Sequence, residues 1–158
     1  DLKYSDDVGS YDFLQLNECK EASEVTLSCK DQNRGFHGET EEWMKAWISD
    51  KDENLSNKAV LVHKEDKKIA GILCAATYPA SNKNGLIVWV REVAVRPEYQ
   101  RKGIARKLIK QAINYGIEHG AVKSFLAADE NNIHAIKLYK SLGYNGKYNE
   151  AEINMIKE

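Results

Sequence analysis

The sequence predicts one domain of mixed α/β (α+β) class, with a sheet of six or seven strands covered by four helices. Three observations carry this expectation. The chain has 158 residues, which suits one domain and is short for two. Its 42% apolar and 30% charged residues are those of a globular protein rather than a disordered one. Its hydrophobic period also switches between that of strands and that of helices, in the order β-α-α-β-β-β-α-β-α-β-β. A chain of this size buries roughly 70% of its unfolded surface, so it needs no metal or disulfide staple.

The elements follow from local signals. Residues 1–10 are polar and are expected to form a flexible N-terminal segment, with the single domain spanning 11–158. Tyr11 to Leu16 reads as a short strand. Asn17 can cap a helix that places Cys19, Ala22, Val25 and Cys29 on one face. Asn33, Gly35 and Gly38 make Asp31 to Glu39 a loop. Thr40 then caps a second helix, with Glu41 and Glu42 favourable to its dipole and Trp43, Ala46 and Trp47 as its apolar stripe. Both tryptophans are read as core rather than as an aromatic cage for substrate.

Lys58 to Lys64 and Lys68 to Tyr78 form a hairpin across Glu65-Asp66-Lys67, and Gly71 inside it suggests a bulge or a close backbone approach. A loop from Pro79 to Gly85 leads to a third long strand, Leu86 to Arg96, ended by Pro97. A helix runs from about Gly103 to Glu118 with Ile104, Leu108, Ala112 and Ile113 inward, and Gly120 follows its end. Ser124 to Ala128 is a strand. Asn131 or Asn132 caps a last helix ending near Leu142-Gly143, and Tyr144 to Tyr148 and Glu152 to Ile156 close the sheet.

The 23 basic residues against 24 acidic ones, for a net charge of -1, give no support to a nucleic-acid binder. The total conceals a gradient of -7 over residues 1–50, +2 over 51–100 and +4 over 101–158. Cys19, Cys29 and Cys74 are odd in number and lack CxxC spacing. They are expected to be buried thiols in a reducing cytoplasm, not a disulfide framework or a zinc site. His37, His63, His119 and His134 are dispersed, so no metal is expected. The longest apolar run, Ile69 to Tyr78, is too short to span a bilayer, and no secretory signal opens the sequence. The chain begins with Asp1 rather than Met, which leaves open that it is a piece of a longer protein.

The most informative stretch runs from Val93 through Ala94, Val95, Pro97 and Gln100 to Arg101-Lys102-Gly103-Ile104-Ala105-Arg106-Lys107. A buried strand enters a tight turn and then a helix. Amides of a first helical turn have no internal partner and attract anions. Gly103 and Ala105 permit close approach to the backbone. Arg101, Lys102, Arg106 and Lys107 oppose the dipole of the free helix, a conflict that a bound phosphate removes. Neither GxxxxGK[ST] nor GxGxxG is present, and the QxxGxA pattern alone is weak.

A second motif follows the next strand: Asn132-Ile133-His134-Ala135-Ile136-Lys137-Leu138-Tyr139-Lys140-Ser141-Leu142-Gly143-Tyr144, or NxxAxxLYxxxGY. With both motifs in order on the expected elements, the sequence resembles the GNAT superfamily of acyl-CoA-dependent N-acyltransferases. The resemblance covers residues 58–148 by motif and 11–57 by topology only. It implies a mixed, mostly antiparallel sheet, splayed between the strand ending at Val95 and the one ending at Ala128, with acetyl-CoA in the opening. The main chains of Val93 and Val95 would pair with the pantetheine arm, and amides from Arg101 to Ala105 would hold the pyrophosphate. Asn132 would hydrogen-bond the cofactor and Tyr139 would face its sulfur. Ala94, Gln100, Lys102, Gly103, Ile104, Arg106 and Ala135 complete the cofactor-binding set that the motifs imply.

Acetyl transfer to an amine needs proton removal, an oxyanion donor and a leaving thiolate. A backbone amide near Ala94 could serve the oxyanion, and Tyr139 could protonate the thiolate. Glu92, the one acidic side chain on its strand, is the candidate base. Its alternative reading is a surface glutamate paired with Arg91. The resemblance implies a primary-amine acceptor, and the acidic first third points to a small cationic one. The alternatives are a peptide N-terminal or lysine acetyltransferase and a non-catalytic acyl-CoA-binding domain. The expected partners are a small-molecule amine, neither nucleic acid nor membrane, and a homodimer is left open.

Overall fold

A computed structural model describes residues 2–30, 37–81, 84–129, 131–149 and 152–157. Its strands are β1 (Asp12–Phe13), β2 (Ser56–Glu65), β3 (Lys68–Pro79), β4 (Leu86–Val95), β5 (Ala121–Asp129), β6 (Asn145–Asn149) and β7 (Glu152–Lys157). The helices are α1 (Cys19–Ser28), α2 (Glu41–Ser49), α3 (Ile104–Glu118) and α4 (Ile133–Ser141). The seven strands form one sheet in the order β1-β2-β3-β4-β5-β7-β6. Among the described residues, the β4–β5 pair is parallel and the other pairs are antiparallel. Among the described residues, no helix is long and apolar enough to cross a membrane.

Alternation along the strands divides the core in two. Val60, Val62, Ile72, Cys74, Ala76 and Ala94 face Cys19, Ala22 and Val25 of α1 and Met44 and Trp47 of α2. Leu61, Leu73, Ala75, Val90, Val95 and Leu126 face Leu108, Ile109, Ala112 and Ile113 of α3. Both faces of β3 are covered, and its residues Ile69 to Thr77 are all buried. Cys19, Cys29 and Cys74 are free thiols, all buried.

The element order matches the sequence expectation, and the differences are local. The strand expected over Tyr11 to Leu16 shrinks to two residues. After the Leu14 amide donates to the Val60 carbonyl (2.8 Å), a 3-10 turn at Leu16–Glu18 takes over. Gln15, not Asn17, sits at its start. Strand β5 begins three residues early, at Ala121. The N-terminal segment 1–10, expected to be flexible, is tied to α3 over much of its length. Ser5 exchanges two 2.8 Å bonds with Asn114, Lys110 meets Asp7 at 3.0 Å, and Gln111 donates to the Val8 carbonyl at 3.0 Å. The β2–β3 hairpin turns through Asp66 and Lys67, both left-handed with φ of 50° and 68°, as a two-residue turn requires. The central parts of the two predicted loops, residues 31–36 and 82–83, lie outside the described residues.

Two features open the sheet. Pairing of β4 with β5 ends at Trp89 opposite Phe125, although both strands continue. One step later the β3–β4 register shifts, with Cys74 opposite Glu92 but Ala75 opposite Val90, so Arg91 is an extra residue in β4. A bulge bends and twists its strand. Here it turns the last half of β4 away from β5. It also re-phases the side chains, which places Glu92 and Ala94 on the α1–α2 face and Val93 and Val95 on the α3 face.

Two glycines, Gly116 on α3 and Gly71 on β3, let α3 lie close to the sheet. A Cβ on Gly116 would stand 2.6 Å from Val88 Cβ, and one on Gly71 would meet Ile104 Cγ2 at 3.0 Å. Gly116→Ala is therefore expected to destabilise the protein by about 1–3 kcal/mol, as overpacking does. A lowered urea midpoint with an unchanged slope is the expected result, and an unchanged midpoint would contradict this packing.

Candidate active site

Where β4 parts from β5, a cleft of about 570 Å³ lies between the end of β4, the start of α3 and α4. One wall is the end of β4. The Arg96 amide donates to the Ala70 carbonyl at 2.8 Å, and Ala94 lies opposite Ile72 two residues back. Period-two alternation then turns the main chain of Ala94 toward β3 and those of Val93 and Val95 toward the cleft. The Val95 carbonyl already accepts from Gln100 Nε2 (2.9 Å) and from Cys29 Sγ (3.1 Å). Gln100 is thus a brace that folds the following turn back onto β4.

The floor is that turn and the start of α3. Arg101 and Gly103 are both left-handed, with φ of 65° and 81°. Gly103 stands at the N-cap without a side-chain cap, and the first helical bond runs from the Lys107 amide to the Gly103 carbonyl (3.0 Å). The amides of Ile104, Ala105 and Arg106 therefore have no helical acceptor. No acidic residue occupies the first turn, while Arg106 and Lys107 do. A Cβ on Gly103 would meet nothing within 4 Å, so the backbone there is open to a ligand. Converging amides, a positive dipole end and nearby basic side chains suit a pyrophosphate. Gly103→Ala should cost about 1 kcal/mol of stability through its left-handed φ alone. Equal stability of variant and wild type in urea would contradict that conformation.

The second wall is α4. Asn132 caps it, its Oδ1 accepting from the Ala135 amide at 3.2 Å. Of the two asparagines expected as caps, Asn132 is the one used. Arg106 Nη1 donates to Ser141 Oγ (2.8 Å) and so links the floor to this wall. The Tyr139 ring packs edge-on against Tyr144 with centroids 6.3 Å apart. Tyr144 is itself buried and fixed by a 2.6 Å bond between its hydroxyl and Ser124 Oγ. Burial pushes the Tyr139 phenol up to about 12, so it is neutral at working pH.

Glu92 lies behind the β4 wall and does not line the cleft. Its side chain is only 8% exposed. Its Oε1 accepts from Arg91 Nη1 at 2.9 Å, and its Oε2 is buried without a partner. Burial first, and then the nearby Glu39 carboxylate, raise its carboxyl to about 7, with Arg91 offsetting part of both. The Arg91 guanidinium also meets Glu39 at 3.1 Å and lies over the Trp43 ring, 4.3 Å from its centroid. Of the two sequence readings of Glu92, pairing with Arg91 is present but the surface position is not.

Of the candidate residues, Val93, Ala94, Val95, Gln100, Arg101, Gly103, Ile104, Ala105, Arg106, Asn132, Ala135 and Tyr139 line one cleft. Lys102 does not, and its ammonium lies 5.5 Å over the Tyr99 ring. Cys29, Tyr99, His134 and Leu138 line the cleft as well. His134 and Leu138 lie within the NxxAxxLY motif, but the sequence reading places neither in the site and expects His134 to face solvent. Cys29 arrives from α1 by a long-range contact that no local signal marks.

The comparisons agree with this geometry. Residues 21–144 match the family model described as Acetyltransferase (GNAT) family. The chain is 38% identical over 85 residues to the spermine/spermidine N(1)-acetyltransferase of Bacillus subtilis, covering 51% of this chain and 55% of that protein. It thus spans about half the length of the curated relatives it matches. An acetyltransferase of the GNAT family from Streptococcus pneumoniae superposes with a TM-score of 0.73 at 15% identity, covering 92% of this chain and 95% of that one. The PaiA N-acetyltransferase of Thermoplasma acidophilum, solved in complex with coenzyme A, gives 0.68 at 17%, covering 94% and 98%. At these identities the two structures speak for the fold alone. The family model spans the splayed strands, the glycine turn and the Tyr139 helix together, and the chain belongs to the acetyltransferase (GNAT) family.

Proposed function

We propose that the protein transfers an acetyl group from acetyl-CoA to a primary amine, a small cationic metabolite, by direct attack in a ternary complex. The observation that carries this reading is the cleft between β4 and α4, which joins three parts of one apparatus. Unpaired strand edge lies along it, open amides and cations stand at its floor, and a neutral phenol stands on its wall. The relative named as a spermine/spermidine acetyltransferase supports a small polycationic acceptor.

Acetyl-CoA, when bound, supplies an acyl group activated as a thioester. The residues that would hold it are the main chains of Val93 and Val95, the amides of Gly103 to Arg106, and Asn132. The chain's own groups do the rest. Glu92 takes a proton from the incoming ammonium, directly or through water, and its raised pKa brings it nearer to that of an amine. An amide on the cleft side of β4, from Val93 or Val95 rather than Ala94, meets charge developing on the acyl oxygen. Tyr139 gives a hydrogen bond to the departing sulfur. Cys29 is not the nucleophile in this reading, because burial raises its thiol and its Sγ donates to the Val95 carbonyl.

Initial rates at crossed concentrations of acetyl-CoA and spermine test this reading, with thiol release as the signal. Intersecting double-reciprocal lines are expected. Parallel lines would indicate an acyl-enzyme and overturn direct attack. Preference for a lysine or N-terminal peptide over every small amine would move the acceptor to protein. Acetyl-CoA binding with no turnover would leave a non-catalytic binding domain.

A further inference from the structure

All three tryptophans of the chain meet at one place, with two carboxylates and one arginine. Trp43 stacks on Trp47 at 5.3 Å and 14°, and Trp89 stands edge-on to Trp47 at 6.2 Å. Arg91 lies over both stacked rings, and Lys58 lies 5.4 Å from the Trp47 centroid. These rings therefore already hold cations. The carboxylates are set in place from separate elements. The main chain of Glu39 is clamped by α1, through Ser23 Oγ at 2.6 Å and Thr26 Oγ1 at 2.8 Å. Glu92 arrives through the bulge in β4.

Hydrogen bonding in this cage leaves one acceptor unserved. A single guanidinium nitrogen, Arg91 Nη1, serves Glu39 at 3.1 Å and Glu92 at 2.9 Å. Glu92 Oε2 is left buried with no partner on a side chain more than nine-tenths buried. An orphaned buried acceptor is costly and calls for an explanation. An ammonium carries three donors on a compact charge and could serve Glu39 and both oxygens of Glu92 at once. Arg91 and Glu39 side chains are 28% and 21% exposed, so the guanidinium can leave without unfolding the core.

We propose that the Trp43–Trp47 face between Glu39 and Glu92 is a binding subsite for an alkylammonium group, and that the Arg91 guanidinium is a built-in occupant which such a group displaces. The subsite adjoins the cleft, because Val93 and Ala94 follow Glu92 on the same strand and line it. As the acceptor's subsite it rests on the proposed acetyl transfer, but its occupancy does not. Arg91 then sets specificity, because any amine must outcompete a tethered cation. Weakly charged amines are disfavoured and polyamines favoured.

The three tryptophans make intrinsic fluorescence a direct reporter of this cage. Wild type, Arg91→Met and Glu39→Gln are titrated with propylammonium and with spermine, without acetyl-CoA. Arg91→Met should bind propylammonium about tenfold more tightly than wild type, the scale of a desolvated cation–aromatic contact. Added methylguanidinium should compete with propylammonium in that variant. Glu39→Gln should weaken both amines about fivefold.

Equal or weaker amine binding by Arg91→Met would overturn the subsite, provided its circular dichroism and acetyl-CoA affinity match wild type. Should that variant not fold, Glu39→Gln decides. Weakened binding supports the subsite, and unchanged binding overturns it. The readout is binding, so absence of acetyl transfer removes the proposed reaction and leaves the subsite standing. Transfer with unchanged amine affinities removes the subsite alone.

Discussion

Tyr139→Phe is expected to lower kcat on the order of a hundredfold while leaving the Kd for coenzyme A within about twofold. The magnitude is that of losing one hydrogen-bond donor aimed at developing charge. The ring stays packed on Tyr144, and only the hydroxyl is lost, so the cleft keeps its shape. The raised phenol pKa refines the role. A phenol at about 12 stands some 3.5 units above an ordinary thiol. Complete proton transfer to a thiolate would cost on the order of 5 kcal/mol. In the proposed reaction Tyr139 would therefore donate a hydrogen bond to the sulfur as the C–S bond breaks. It should give no falling limb below pH 10 in the rate profile. Unchanged turnover in the phenylalanine variant would remove Tyr139 from the reaction.

Glu92→Gln carries the second large effect, and it is read by pH. In wild type, kcat/KM should rise through a limb near pH 7, where the buried carboxyl loses its proton. The glutamine variant should lose that limb, with activity at pH 8 reduced about a hundredfold or more. The groups that face this carboxyl are Glu39 from the segment before α2, Arg91 on β4, Cys74 on β3 and Cys29 after α1, and of these Arg91 favours its ionised form.

Stability moves the opposite way. The folded-state pKa of Glu92 is raised from 4.5 to about 7, so the fold prefers the neutral form. That contribution is fully present below pH 4.5 and is lost as pH rises through 7. Above it the ionised carboxyl costs on the order of 3 kcal/mol, which Glu92→Gln avoids. The variant should therefore exceed wild type in urea stability at pH 8 and not at pH 5. An equal difference at both values would contradict the shift.

Most residues of the proposed cofactor half of this cleft were legible in the sequence and few of the proposed acceptor half, for a physical reason. Turn and capping signals are local. Gly103 beside a basic helix start and Asn132 before Ala135 can each be read within a few residues, and both stand where their patterns place them. Val93 and Val95 could be assigned to a strand, but which of them faced the cleft depended on ladder phase. The bulge at Arg91 sets that phase, and one extra residue in a strand leaves no mark in composition. The acceptor side depends on contacts far apart in sequence. Trp47 is buried as its reading as core implies, but Trp43, read with it as core, is only partly buried, and Met44, outside the expected stripe, is fully buried. That Trp43 stacks under Arg91 depends on α2 crossing the β4 bulge. The burial of Glu92 is likewise a property of the assembled cage and not of its neighbours in the chain.

The most direct test of the central claim is to incubate the protein with acetyl-CoA and spermine and to quantify both products by mass spectrometry. One N-acetylated amine is expected for each coenzyme A released, with both abolished together when either substrate is left out. Release of coenzyme A without acetylated amine, or binding of acetyl-CoA with neither product formed, would contradict acetyl transfer at this cleft.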